Sequence, residues 1–158
     1  MSASVEEPMQ RECLTFTLGG EEYAVDILRV QEIRAWEAAT PIAHAPDFIK
    51  GVINLRGAIV PIIDLRIRFG LGRAEYTPFT VTVILNVGTR TVGIVVDAVS
   101  DVVVVSDALM RPPPELSRAI DLRHIVALAA LDDRMLIVLD IESLMLSADM
   151  ALVDEPEA

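Results

Sequence analysis

Apolar and polar positions alternate along most of this chain in short blocks, and Gly, Pro, Asp and Asn separate the blocks. In "CLTFTL", Leu14, Phe16 and Leu18 alternate with Thr15 and Thr17, the period-two pattern of a half-buried strand. "GGEE" supplies a turn, and "YAVDI" starts a return strand with Tyr23 and Val25 on one face. Ile27, Val30 and Ile33 are then spaced by three, which predicts one short helical turn after Asp26 as its N-cap. Pro41 and Pro46 break "TPIAHAPDF" into loop and edge strand. "GVINLRGAIVPIIDLR" predicts a hairpin with strands near Val52–Leu55 and Ala58–Asp64. Asp64 then caps a second short helix, Leu65–Phe69, closed by Gly70.

The second half repeats the pattern. "GLGRAEYTP" reads as a linker; "FTVTVILNVG" and "RTVGIVVDAV" form a hairpin across "NVGT", and "SDVVVVS" extends it. The prolines of "MRPPPEL" favour a stiff polyproline connection. "IVALAAL" and "RMLIVLD" make a last hairpin around Asp132 and Asp133, and "IESLMLS" reads as a short C-terminal helix. The chain therefore predicts an all-β fold of eight to ten strands with three or four single-turn helices, as a barrel or sandwich.

Composition narrows the setting. Of 158 residues 53% are hydrophobic but only 4% aromatic, so the core is built from Val, Ile, Leu and Ala. No uncharged apolar run approaches the ~20 residues that span a bilayer. The longest, "TVGIVVDAVSDVVVV", is broken by Asp97 and Asp101. The first twelve residues have no basic and apolar signal pattern, and the single Cys13 allows no internal disulfide, so a reducing cytoplasm is expected. The net charge of −11 is concentrated at the ends: residues 140–158 hold six acids and no base, while 13–139 carry only −3. No basic stripe marks a nucleic-acid partner.

The material for catalysis is thin. His44 and His124 are far apart, and neither has metal-ligand spacing. Cys13 sits at a strand start with no local base, and "GLG" lacks the third glycine of a phosphate loop. Asp97 and Asp101 follow β-branched runs and are expected to end strands or bond backbone amides. Three surface stretches stand out instead. In "LRVQEIRAW", Gln31, Glu32 and Arg34 are interleaved with Val30, Ile33 and Trp36. The "NLRG" tip carries Asn54 and Arg56 beside Gly57, more than a soluble turn requires. In "PIIDLR", Asp64 and Arg66 are placed to pair with each other at the surface. Composition and spacing stop at a β-barrel binding module.

The blocks "EEYAVDILRVQEI", "FIKGVINLRGAIVPIIDLRIRFG", "VGIVVDAVSDV" and "DRMLIVLDIE" resemble, in order and interval, the CheW chemotaxis coupling proteins, over roughly residues 12–153. Related modules occur in the kinase CheA and in CheV proteins. No kinase, receiver or phosphotransfer segment follows here, so the stand-alone coupling protein is the better match. The resemblance implies two intertwined five-stranded SH3-like barrels with a core between them. It divides the chain into an acidic leader (1–11, expected to be disordered), one domain of two barrels (12–150) and an acidic tail (151–158).

By the same resemblance the protein is not an enzyme and needs no cofactor. It is expected to be cytoplasmic, recruited to membrane-bound receptor arrays without inserting in the membrane, and monomeric outside them. Its implied partners are the cytoplasmic tip of methyl-accepting chemoreceptors and the regulatory domain of the CheA histidine kinase. Val30, Glu32, Gly51 and Arg56 match positions linked to receptor binding in the groove between the barrels, and Asn54 and Gly57 complete the tip that presents Arg56. The planar guanidinium of Arg56 offers five donors to a receptor's helical turn. Val30 and Val52 would take its apolar part, and Glu32 would orient Arg56 or meet a basic receptor residue. The kinase and neighbouring coupling proteins would use apolar edges at the barrel ends. Ala24 and Ala35, where small or flexible residues are usual, and a stiffer "RPPPELS" are the departures from the family pattern. Two alternatives stand beside this: a scaffold of a non-flagellar chemosensory pathway, and a small-molecule-sensing barrel.

Overall fold

The computed structural model describes residues 9–71, 74–112 and 122–145. Eleven strands are found among them: β1 (Gln10–Leu18), β2 (Glu21–Asp26), β3 (Val30–Ala35), β4 (Ile49–Leu55), β5 (Ala58–Asp64), β6 (Val81–Val87), β7 (Arg90–Val96), β8 (Ala98–Ser106), β9 (Met110–Arg111), β10 (Ile125–Leu131) and β11 (Arg134–Leu139). Two short helices, α1 (Leu65–Arg68) and α2 (Ile141–Met145), and three 3₁₀ turns complete the elements. The strand β1 begins at Gln10, so two positions assigned to the leader lie in a strand; residues 1–8, the stretch 113–121 that holds most of "PPPEL", and the acidic tail lie outside the described residues.

The strands form two sheets, one of six in the order β8-β1-β2-β11-β10-β9 and one of five in the order β3-β6-β7-β5-β4. The five-stranded sheet takes a continuous stretch of chain, β3 to β7. The other takes what precedes and follows it, which is the intertwining expected. Both sheets curl closed. The edges β8 and β9 of the larger sheet are joined directly by the 3₁₀ turn Asp107–Leu109. The edges β3 and β4 of the smaller are brought together when Thr40 exchanges two backbone hydrogen bonds with Val52, both 2.9 Å. The sixth strand, absent from the five-plus-five expectation, is the two-residue β9 that this closure creates.

Three cores follow from the period-two alternation. Leu14, Phe16, Leu18, Tyr23 and Val25 of the larger sheet meet Ile63, Val83, Leu85, Ile94 and Val96 of the smaller in one large cluster between the sheets. The residues between them point the other way. Cys13, Ala24, Val105, Ala129, Leu136 and Val138 fill the inside of the larger sheet, and Leu55, Val60, Ile62, Ile84 and Val95 fill the smaller. One face of β1 packs into the cluster between the sheets through Leu14, Phe16 and Leu18, and the other faces the interior of the larger sheet through Cys13, so the half-buried strand expected is in fact buried on both. Thr15 is tolerated there because its hydroxyl donates to the Asp101 carbonyl and accepts from the Asp101 amide, each at 3.1 Å.

The local signals behave as expected. Asp26 accepts from Leu28 N at 2.9 Å and opens the turn Ile27–Arg29. Asp64 accepts from Arg66 N at 3.0 Å and opens α1. Two expectations need correction. The Asp64–Arg66 pair is buried rather than at the surface, with side-chain exposures of 0% and 4%. In the expected linker, the described stretch 74–78 is bonded to that pair through the Glu75 carbonyl and the Tyr76 hydroxyl, so it is no free connector.

Candidate protein-binding site

The tip of the β4–β5 hairpin is a two-residue turn in which Arg56 (φ 51°) and Gly57 (φ 91°) both take left-handed conformations, the geometry that matches the twist of paired strands. Gly57 adopts it freely, whereas Arg56 is held there against its preference. Asn54 Oδ1 accepts from Gly57 N at 2.8 Å and pins the turn. Asn54 and Gly57 therefore build the tip. Arg56 projects from it, its side chain 65% exposed.

Across the seam between the sheet edges, Arg56 Nη2 donates to Glu32 Oε2 on β3. Glu32 also accepts from Arg34 Nη1 at 3.4 Å, and Arg34 Nη2 donates to Glu37 Oε1 at 3.0 Å. The result is a ladder of alternating charge, Arg56–Glu32–Arg34–Glu37. The hydrogen bond from Arg56, with its charge and the contact of Arg34 adding to it, holds the Glu32 carboxyl below the usual carboxylate range. The carboxylates of Glu37 and Glu32 push the Arg34 guanidinium up.

A bulge between Val30 and Glu32 divides the roles of β3. Val30 pairs with Leu85 and Ile33 with Val83, both core residues between the sheets, while Glu32 pairs with Ile84 of the inner core. Val30 packs against the core between the two sheets, Ile33 is exposed, and Glu32 and Arg34 alternate to the other face from Ile33. Ile33, 45% exposed, is an apolar surface residue of this strand to which the sequence assigned no role. The bulge is also why the apolar positions of a strand are spaced by three.

Gly51 is separate from this cluster. It is buried in β4, five positions from Arg56 and hence roughly 17 Å along the strand. Its φ is 136°, and a Cβ there would lie 2.0 Å from the Thr40 carbonyl oxygen. Its glycine is required where Thr40 closes the smaller sheet, so its part in this structure is in the fold.

The residues considered for catalysis are dispersed. Cys13 is buried in the larger sheet, and His124 is buried with its Nδ1 3.1 Å from the Ser143 hydroxyl. His44 holds a left-handed loop conformation, φ 65°. Asp97 Oδ2 accepts from Gly19 N at 2.9 Å, as the amide-bonding expectation had it. Asp132, at φ 57°, starts the last hairpin turn. Among the described residues no three of His, Cys, Asp and Glu are grouped to hold a metal ion.

A CheW-like domain model matches residues 12–149, which include all of both sheets but the first two residues of β1, and every residue of the ladder. The chain belongs to the CheW-like domain family. It is 53% identical over 148 residues to the chemotaxis protein CheW of Klebsiella aerogenes, covering 94% of this chain and 89% of that protein. To the chemotaxis protein CheW of Rhizobium meliloti it is 41% identical, covering 84% and 86%. Among solved structures it is similar to the scaffolding protein TtCheW of Thermoanaerobacter tengcongensis, with a TM-score of 0.82 and 33% identity over 89% of this chain and 96% of that one. The two curled sheets are thus the CheW scaffold. No helix among the described residues is long and apolar enough to cross a membrane.

Proposed function

We propose that the protein is a chemotaxis adaptor that couples methyl-accepting chemoreceptors to the CheA histidine kinase by binding both, without catalysis. The observation that carries this reading is the placement of Arg56. It stands exposed on a pinned two-residue turn, aligned by Glu32, in a chain whose relatives are named chemotaxis and scaffolding proteins. A donor-rich guanidinium fixed on a rigid hairpin suits the exposed carbonyls of a helical receptor tip. Val30, Ile33 and Val52 would receive the apolar side of the receptor helix in the groove.

The kinase regulatory domain would bind at apolar sheet edges, outside the ladder. Val102 and Val104 on the edge strand β8 are exposed and suit such a contact. Two interfaces are sufficient for control, because the coupling depends on each partner's different affinity for the on and off states. The adaptor would work in the cytoplasm as a monomer recruited to receptor arrays. The names of the relatives favour this over a small-molecule-sensing barrel.

The test is co-sedimentation of the purified protein with receptor-containing membranes, with and without CheA, while kinase autophosphorylation is followed. The protein is expected to pellet with receptors and to bring kinase activity under receptor control. Binding to neither partner would overturn the reading.

A further inference from the structure

Asp97 is the single residue between β7 and β8, where the chain passes from the smaller sheet to the larger. Its Oδ2 accepts from Gly19 N, at 2.9 Å, in the β1–β2 turn of the larger sheet. Its Oδ1 accepts from Arg66 Nη1, at 3.1 Å, on α1 beside the smaller sheet. One carboxylate therefore holds both sheets at their crossing point.

Arg66 spends its remaining donors close by. Nε and Nη2 hold the two oxygens of Asp64 at 3.0 and 2.9 Å, and Nη1 also donates to the Glu75 carbonyl at 2.6 Å. That carbonyl accepts from Thr80 Oγ1 at 3.3 Å, and Thr80 O accepts from Trp36 N at 3.2 Å. A second route runs through Tyr76. Its hydroxyl donates to Asp64 at 2.8 Å, its ring lies 4.9 Å from the Arg66 guanidinium carbon, and it stacks on Trp36 at 4.4 Å between centroids. Trp36 directly follows β3, whose alternation puts it on the same face as Glu32 and Arg34.

We propose that Arg66 and Asp97 are positioning residues of the receptor-binding surface. Their clamp at the sheet crossing fixes Glu75–Thr80, which holds Trp36 and so keeps Glu32 and Arg34 in register with Arg56. The idea rests on the receptor-binding reading for its functional consequence, but its structural half is measured separately. Arg66 and Asp64 are buried and bonded to each other, and Asp97 joins them from a partly exposed position; satisfied networks of this kind rigidify the elements they join.

Trp36 is the chain's one tryptophan, so its fluorescence reports on this network directly. In Asp97→Asn the side chain can no longer offer an anionic oxygen to both Gly19 and Arg66. Faster acrylamide quenching of Trp36, a red-shifted emission and receptor co-sedimentation weaker by roughly threefold to thirtyfold are expected, with far-UV circular dichroism unchanged. Tyr76→Phe, which keeps the stack and removes the bond to Asp64, should move the same readouts in the same direction. Val138→Ala in the interior of the larger sheet serves as a control for stability alone and should leave both readouts at the wild-type value.

Unchanged Trp36 quenching in both Asp97→Asn and Tyr76→Phe would overturn the proposal, as would an equal loss of binding in Val138→Ala. Wild-type protein that fails to bind receptor membranes would overturn the coupling function instead, and the Trp36 readout would still decide whether the clamp positions β3.

Discussion

Glu32 and Arg56 are 24 positions apart in sequence, yet they meet across the seam where the smaller sheet closes on itself. The contact joins β3, one edge of that sheet, to the tip beyond β4, the other edge. It therefore reports on barrel closure, and it also aims the most exposed cation of the site.

Replacing Arg56 with Glu separates these two roles. The side chain is largely exposed, and exposed ion pairs add little to stability, so the thermal midpoint is expected to stay within a few degrees of wild type. Affinity for receptor membranes should fall by roughly thirtyfold, the usual effect of losing a central arginine anchor. Calorimetry and co-sedimentation on the same sample check both. Unchanged receptor affinity would remove Arg56 from the interface.

The Glu32 carboxyl supplies the pH dependence. Its acidity is increased chiefly by the hydrogen bond from Arg56, from an unperturbed value of 4.5. A lowered folded-state value means the contact stabilises the protein above pH 4.5 and loses that contribution as pH falls through the folded value. A carbon-detected titration of the Glu32 carboxyl should show its midpoint below 4.5, and Arg56→Met should move it upward. A midpoint unaffected by Arg56→Met would mean that the contact is not populated in solution.

Gly51 tests the closure from the opposite side of the hairpin. An alanine there combines an unfavourable φ with a methyl group overlapping the Thr40 carbonyl, and backbone atoms cannot give way as a side-chain end can. A loss of at least about 2 kcal/mol in urea unfolding is expected. Receptor binding should fall with it, because Thr40 and Val52 would separate. A Gly51→Ala protein as stable as wild type would refute this assignment.

Local physics was readable from the chain because neighbours supply it. The caps Asp26 and Asp64, the Arg56–Gly57 turn and the Asp132 turn need only a few consecutive residues. What the alternation missed depends on distant partners. The double burial of β1 requires Ile63 and Ile94 of the other sheet on one face and Ala129 and Leu136, more than a hundred positions away, on the other. The bulge after Val30 hid β3 behind a helical spacing, and the burial of Arg66 depends on Tyr76 in a segment that reads as linker. Within the site, Arg56 and its turn stood out from the residues themselves. That Glu32 belongs beside it came through the family resemblance, since no periodicity links β3 to the hairpin tip.

Cys13 should be chemically inert in the native state. Burial pushes its thiol up from 9.0, with the Asp26 charge adding to the effect, so little reactive thiolate exists at neutral pH. A disulfide reagent is expected to react only at the rate of unfolding, and fully once urea is added. Rapid stoichiometric reaction of the native protein would contradict its burial.

The Asp64–Arg66 pair offers the largest stability effect outside the apolar cores. Both side chains are buried, and each satisfies the other with two hydrogen bonds. Removing Asp64 alone leaves the Arg66 charge enclosed with, among the described residues, Asp97 to balance it. Asp64→Leu should therefore cost about 3 to 5 kcal/mol, well beyond the loss of an exposed pair. Arg66→Met should cost a similar amount, since among the described residues it leaves Asp64 with the Tyr76 hydroxyl and the residue-66 amide as donors. The double variant Asp64→Leu/Arg66→Met should recover much of the loss, because no unpaired charge remains. Urea unfolding of the four proteins gives the cycle. A double variant as unstable as the summed singles would mean that the two residues act independently, contrary to their geometry.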